Sequence, residues 1–151
     1  MKKKYAQVRL LMVDDLSSDR QLIRYALEEI GFAGEIEFEH TGQAVLERYL
    51  SPNSLHPLPD LILLDWNLSD LPGEELLRRL KQHRATCTIP VVVMSSSQAE
   101  EAAAQCYSLG AGGYLSKPTD YDQLRDDIGA TLAFWLQNAV KRNRNHHYAR
   151  F

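Results

Sequence analysis

Four short apolar segments of this chain each end in polar or charged residues. Apolar segments of this length are typical of strands that are buried on both faces, and such a strand is expected to stay apolar to its end. The polar endings are therefore the feature that most constrains the fold and the function. Segment 10–13 runs into Asp14 and Asp15, segment 61–64 into Asp65, segment 91–94 into Ser95, and segment 113–115 through Ser116 into Lys117.

Helical patterns lie between these segments, with apolar residues at the 3.6-residue spacing of a helix. A further stretch, 36–39, alternates apolar and acidic residues, which predicts an edge strand with one wet face. The order is a strand followed by a helix, repeated five times, and it predicts an α/β fold with a parallel sheet and helices on both faces. The helices are expected from a capping Ser17 or Ser18 to Gly31, and over 41–50, 73–80, 99–109 and 121 to about 139.

Size and composition exclude several classes of protein. The 151 residues fit one domain, 1–139, followed by a basic tail, 140–151, which is expected to be solvated, with no output domain. The net charge of −3 does not suit a dedicated nucleic-acid binder, so no direct nucleic-acid binding is expected. Cys87 and Cys106 lack metal-ligand spacing, and no apolar run is long enough for a signal or a membrane span. We therefore expect a cytoplasmic location.

The carboxyl ends of parallel strands meet at one edge of a sheet, so the polar endings are expected to converge there. Three carboxylates at about 5 Å repel by about 3 kcal/mol per pair at an effective dielectric of ~20, so a cation is needed. Oxygen ligands suit a hard ion such as Mg²⁺. Asp65, alone at a central strand end, is then expected to attack a phosphoryl group, while Lys117 and Ser95 hold its oxygens.

These residues resemble the receiver domains of two-component response regulators over roughly residues 8 to 139. The resemblance rests on the acidic pair Asp14 and Asp15, on Asp65 as the phosphoacceptor, and on the later hydroxyl and Lys-Pro pair. It implies a flavodoxin-like (βα)5 fold with the strand order 2-1-3-4-5. It also implies that Mg²⁺ is bound by Asp15, Asp65 and the backbone carbonyl of Asn67, with Asp14 acting through water. Ser95 and Tyr114 correspond to the family's switch residues.

Three departures from the family pattern are visible in the sequence. Ser69 stands where many members have a proline, so the loop before Gly73 is expected to be less rigid. Asn67 and Ser97 occupy positions that tune dephosphorylation, so the lifetime of the modified state stays open. The loop 51–59 is longer than usual, and no task is assigned to it.

The fifth helical pattern carries an aromatic residue that lies away from its apolar stripe, Phe134. Tyr107 lies off the stripe of the fourth helix, and in this family the fourth and fifth helices with the last strand form the signalling face. Phe134, Tyr107 and Trp135 are therefore interface candidates, and a homodimer is expected through this face or the extended fifth helix. A singly exposed phenylalanine without a partner is an alternative of equal weight.

The leading interpretation is a single-domain response regulator that accepts a phosphoryl group from a sensor histidine kinase and then changes its affinity for partners. It is similar to the stand-alone receivers of the chemotaxis type and, in its longer fifth helix and central loop, more similar to receivers paired with phytochromes. We expect no enzymatic activity other than its own phosphorylation and slow dephosphorylation. A phosphohydrolase would resemble a pattern with a second acid at the position of Asn67, and a flavin carrier would not place Asp14 and Asp15 beside a phosphate. The kinase, stimulus and downstream target stay open.

Overall fold

The structure, a computed structural model, describes residues 4–96 and 100–148. Strands and helices alternate along this part of the chain as the hydrophobic pattern predicts. The elements are β1 (Arg9–Val13), α1 (Ser17–Glu29), β2 (Glu35–Glu39), α2 (Gly42–Val45), β3 (Leu61–Asp65), α3 (Gly73–Gln82), β4 (Val91–Ser95), α4 (Glu100–Ser108), β5 (Gly113–Ser116) and α5 (Tyr121–Tyr148).

The five strands form one parallel sheet in the order β2-β1-β3-β4-β5. The predicted strand order is therefore confirmed. The two central strands β3 and β4 are buried along their whole length, whereas β2 lies at an edge and is only partly buried. This difference follows from their sequences, since apolar side chains cover both faces of a central strand and alternate with acids on the edge strand.

Side chains of successive strand residues point to opposite faces of the sheet and fill two separate cores. Leu11 and Val13 of β1 belong to the core under α2, α3 and α4. Leu10 and Met12 belong to the core under α1 and α5. Helices therefore cover both faces, and the buried polar side chains of β3 and β4 lie at the ends of these strands.

The strand register brings the polar endings to the same edge of the sheet. Val13 is paired with Leu64, so Asp14 and Asp65 follow at the same level on neighbouring strands. Ser95 is paired with Ser116, which places Lys117 one residue beyond the end of β5. The fold thus collects the residues that the sequence distributes over about a hundred positions.

Three local predictions differ from the structure. α5 continues to Tyr148 rather than ending near residue 139, since no glycine or proline interrupts the sequence after Gly129. α2 changes after four residues into a π-helical segment, Leu46–Leu50. The expected Ser17 or Ser18 cap on α1 is wrong, because the helix begins without a side-chain cap and the Asp14 carboxylate instead accepts the N–H of Leu16.

Among the residues that the structure describes, no helix combines the length and the apolar character needed to cross a bilayer.

Gly73, the first residue of α3, lies against the backbone that follows Asp65. A Cβ at this position would lie 2.6 Å from the carbonyl oxygen of Trp66, whereas a Cβ at Gly129 in α5 would have ordinary contacts only. We expect Gly73→Ala to lower the free energy of unfolding by about 1–3 kcal/mol, because backbone must move. Gly129→Ala is the control and should raise it by roughly 0.5–1 kcal/mol. Urea unfolding checks both, and equal stability of the two variants would contradict this account of the turn.

Candidate functional site

Three carboxylates lie together at the carboxyl end of the sheet. Ligand oxygens of Asp14, Asp15 and Asp65 all lie within 4.8 Å of one another. Asp14 and Asp65 are almost wholly buried, with 0% and 2% of their surfaces exposed, and Asp15 is half-buried. The structure therefore brings together the acids that the sequence singled out, and it does so with little water to screen their charges.

Lys117 supplies positive charge to this cluster from the segment between β5 and α5. Its Nζ lies 3.3 Å from Oδ1 of Asp65 and 3.4 Å from Oδ2 of Asp14. A third carboxylate, that of Asp19 in α1, is nearer still at 2.9 Å. The backbone N–H of Lys117 donates to the carbonyl oxygen of Ser95 at 2.7 Å, which fixes the lysine relative to β4.

The electrostatics of the cluster are strongly perturbed. Burial raises the pKa of Asp14 to about 7, and the charge of Asp65 acts in the same direction, although the N–H of Leu16 and the ammonium of Lys117 oppose it. Burial alone would lower the pKa of Lys117, but the hydrogen bond to Asp19 and the charges of Asp14 and Asp65 together raise it. The lysine is therefore a cation at neutral pH, and one ammonium does not balance the acids.

The loop after Asp65 binds the acids through its backbone. The N–H of Asn67 donates to Oδ1 of Asp65 at 3.1 Å, and the N–H of Ser69 donates to Oδ2 of Asp15 at 3.1 Å. A proline at position 69 has no N–H, so the departure from the family pattern adds a hydrogen bond here. The predicted role of the Asn67 carbonyl as a metal ligand stays a prediction.

The predicted switch residues lie on the two strands next to the acids. Ser95 is the last residue of β4 and is buried. Tyr114 of β5 is half-buried and packs against the core under α2, α3 and α4. Their positions fit a pair that responds to a change at Asp65, and their roles stay predictions. Ser97 lies outside the described residues.

The three interface candidates differ in exposure. Phe134 is 65% exposed and Tyr107 is 52% exposed, so both offer apolar surface outside the core. Trp135 is half-buried, with its ring against the position that a Cβ of Gly112 would occupy. The Phe134 and Trp135 rings meet edge to face with centroids 5.0 Å apart. Trp135 thus supports Phe134 while packing on the last strand.

Two acids near the site escaped the sequence analysis. Asp19 contacts Lys117, and a signal was available, since it lies in the first turn of the helix that follows the acidic pair. Asp70 accepts the backbone N–H groups of Gly42 and Gln43, both at 3.0 Å. Partial burial raises the pKa of Asp70, but these hydrogen bonds outweigh it, so that the pKa is lowered. Nothing in the sequence pointed to this cap, because it joins the start of α2 to a loop 28 positions further along the chain.

Comparison with known proteins gives relatives over most of this chain. It is 32% identical over 128 residues to the probable methanogenesis regulatory protein FilR2 of Methanothrix harundinacea, covering 84% of this chain and 83% of that protein. It is 30% identical over 133 residues to the response regulator Rcp1 of Synechocystis sp., covering 87% and 90%. The regulator PhoB of Pseudomonas aeruginosa is 38% identical over 126 residues, which are 82% of this chain but about half, 51%, of PhoB.

Solved structures agree with these relatives. The phosphorylated cyanobacterial phytochrome response regulator RcpA superimposes with a TM-score of 0.80 at 30% identity, over 88% of this chain and 96% of that one. The Mn²⁺-bound form of Rcp1 superimposes with a TM-score of 0.77 at 30% identity, over 85% and 94%. The family model described as the response regulator receiver domain matches residues 10–129. The chain therefore belongs to the response regulator receiver domain family.

Proposed function

We propose that this chain is a single-domain response regulator that accepts a phosphoryl group on Asp65 from the histidine of a sensor kinase. The observation that carries the proposal is the place of Asp65. It ends a central strand, is almost wholly buried, and has both a cation and two further carboxylates beside it. The proposed domain is 1–139, with 140–151 as its basic tail. We propose that this transfer takes place in the cytoplasm, where ATP phosphorylates the kinase.

The proposed reaction is a transfer between two side chains. A carboxylate oxygen of Asp65 attacks the phosphorus of the phosphohistidine, the P–N bond breaks, and the imidazole leaves with the bonding electron pair. Lys117 and the hydroxyl of Ser95 hold the oxygens of the transferred group, where negative charge accumulates. Hydrolysis of the aspartyl phosphate by water ends the signal. The chain therefore acts on itself and not as a turnover enzyme.

The residues fit a divalent metal ion at this site. Their donors are all oxygens, the three carboxylates have ligand atoms within 4.8 Å of one another, and one ammonium, that of Lys117, faces them. Rcp1, which is similar to this chain, was solved in a Mn²⁺-bound form. We propose Mg²⁺, held by Asp15, Asp65 and the carbonyl of Asn67, with Asp14 through water. When bound, the ion neutralises the acids and the phosphoryl oxygens.

Ser95 and Tyr114 are the proposed switch. The phosphoryl group carries about 1.5–2 negative charges next to Ser95, in place of the single charge of the Asp65 carboxylate, enough to bias two arrangements that differ by a few kcal/mol. The response is read at the face formed by α4, β5 and α5, where Tyr107 and Phe134 are exposed. The proposed partners are a histidine kinase and a second copy of this chain bound through this face or α5. The likeness to RcpA, a phytochrome response regulator, supports a phytochrome as the kinase.

Asp65→Asn is expected to abolish phosphorylation, because the amide is not a nucleophile toward phosphorus. The measurement is intact-protein mass after incubation with Mg²⁺ and acetyl phosphate, which should add one phosphoryl group to the wild type and none to the variant. Asp126→Asn, in which the same charge is lost from the exposed carboxylate of α5, serves as the control and should be modified like the wild type. Modification of the Asp65→Asn variant to wild-type extent would rule out the proposed acceptor.

Metal binding should depend on pH through Asp14. Its folded pKa of about 7 lies above the ordinary 3.8, so the metal-free protein holds an extra proton between these values and loses stability as pH rises through this window. Mg²⁺ should therefore raise the melting temperature more at pH 8 than at pH 5.5. Asp14→Asn should raise the free energy of unfolding of the metal-free protein at pH 8 by about 1–4 kcal/mol. Thermal melts with Mg²⁺ or EDTA check both, and a Mg²⁺ effect equal at the two pH values would count against the site.

Phe134→Ala should weaken self-association, because 65% of this phenylalanine is exposed next to Trp135. We expect at least a tenfold rise in the dimer dissociation constant, as for a central aromatic residue of an interface. Sedimentation velocity with and without beryllofluoride measures it. Tyr25→Ala removes an aromatic residue of similar exposure from α1 and is the control. Unchanged association of the Phe134→Ala variant would exclude this surface.

A further inference from the structure

The ammonium of Lys117 is shared by three carboxylates, one more than the predicted site requires. Asp14 and Asp65 belong to the acidic cluster, but Asp19 comes from the first turn of α1. The contact with Asp19 is the shortest of the three, 2.9 Å against 3.3 and 3.4 Å. The ammonium donates hydrogen bonds to Asp14 and Asp19 and forms an ion pair with Asp65, so a phosphoryl oxygen that binds it competes with these partners.

Asp19 is the partner that leaves at the lowest free-energy cost. The side chain of Asp19 is 27% exposed, so water can solvate its carboxylate once Lys117 has moved. Asp14 is fully buried, and loss of its cation would leave an unpaired buried charge. The negative charge of the released Asp19 would also remain stabilised, because this residue lies in the first turn of α1, where the helix dipole favours an anion.

The structure has room for this exchange. A cavity of about 60 Å³ lies beside the pair and is lined by both Asp19 and Lys117, together with apolar side chains of α1, β4 and α5. A lysine has a flexible stem of four carbons, and free volume next to it permits a shift without movement of the backbone. The backbone N–H of Lys117 can keep its hydrogen bond to Ser95 while the side chain turns.

We propose that Asp19 is a positioning residue that competes with the phosphoryl group for Lys117. In the unmodified protein Asp19 holds the ammonium in part away from Asp65, and modification requires this ion pair to open. Asp19 thereby lowers the affinity of the site for a phosphoryl group. The inference rests on the proposed function, since it assumes that Asp65 is the acceptor. It concerns a residue that touches neither the acceptor nor the transferred group.

Beryllofluoride, which mimics a phosphoryl group on a carboxylate, is the probe. Calorimetric titration at saturating Mg²⁺ should give a dissociation constant about two- to fivefold lower for Asp19→Asn than for the wild type, the range expected for loss of one partly exposed ion pair. Asp19→Glu keeps the charge and should bind like the wild type. Unfolding in urea, measured in parallel, separates this effect from one on stability, which a purely structural role of Asp19 would change without changing affinity.

Asp120→Asn is the matched control. Asp120 lies three residues after Lys117 and its carboxylate accepts the N–H of Asp122 at the start of α5, a cap that asparagine can retain. The variant loses the same charge near the same loop and should keep the wild-type affinity. Equal tightening by Asp120→Asn, or no tightening by Asp19→Asn, would overturn the inference. Failure of the wild type to bind beryllofluoride would instead overturn the proposed function.

Discussion

Repulsion among the acids at the end of the sheet is the constraint on which the rest of the site depends. At about 5 Å and an effective dielectric of ~20, each charged pair costs about 3 kcal/mol, and burial removes the water that would reduce this cost. The chain offsets part of it with Lys117, whose Nζ lies within 3.4 Å of both Asp14 and Asp65. Burial, with a smaller contribution from the charge of Asp65, raises the pKa of Asp14 to about 7. A site left in this state favours the binding of added positive charge.

Backbone N–H groups provide the second part of the balance. Leu16, Asn67 and Ser69 each donate one N–H to one of the three acids. All three donors belong to the loops that follow β1 and β3, so the cluster orders the loops that surround it. A serine at position 69 keeps an N–H that proline lacks, and a second tether, from Asp70 to Gly42 and Gln43, holds the same loop to α2. The loop after Asp65 is thus fixed by hydrogen bonds where proline would act through a fixed φ.

The fold could be predicted from the sequence because burial of the strands leaves a strong pattern. The runs before Asp14, Asp65 and Ser95 are apolar since both faces of β1, β3 and β4 are covered, and the convergence of their ends follows from parallel pairing. The ion pair between Asp19 and Lys117 spans 98 positions and depends on how α1 is placed against β5, which periodicity does not encode. The end of α5 was set too early because an amphipathic stripe marks where packing stops, not where a helix stops. The predicted serine cap of α1 is wrong because the Asp14 carboxylate accepts the N–H of Leu16 before the helix begins.

Lys117 connects the acids with the exposed face through covalent geometry rather than through a chain of side chains. It follows β5 directly, and β5 has only four residues, among them Tyr114. Its N–H is bound to Ser95, so β4 and β5 are tied at the point where the ammonium lies. Lys117 therefore lies on a short segment that leads within four residues into α5, and α5 presents Phe134 on its exposed side. Because the carboxylate partners of Lys117 differ in burial, the phosphorylation state of Asp65 determines which of them the ammonium keeps. This exchange takes place next to the segment that leads to the exposed surface.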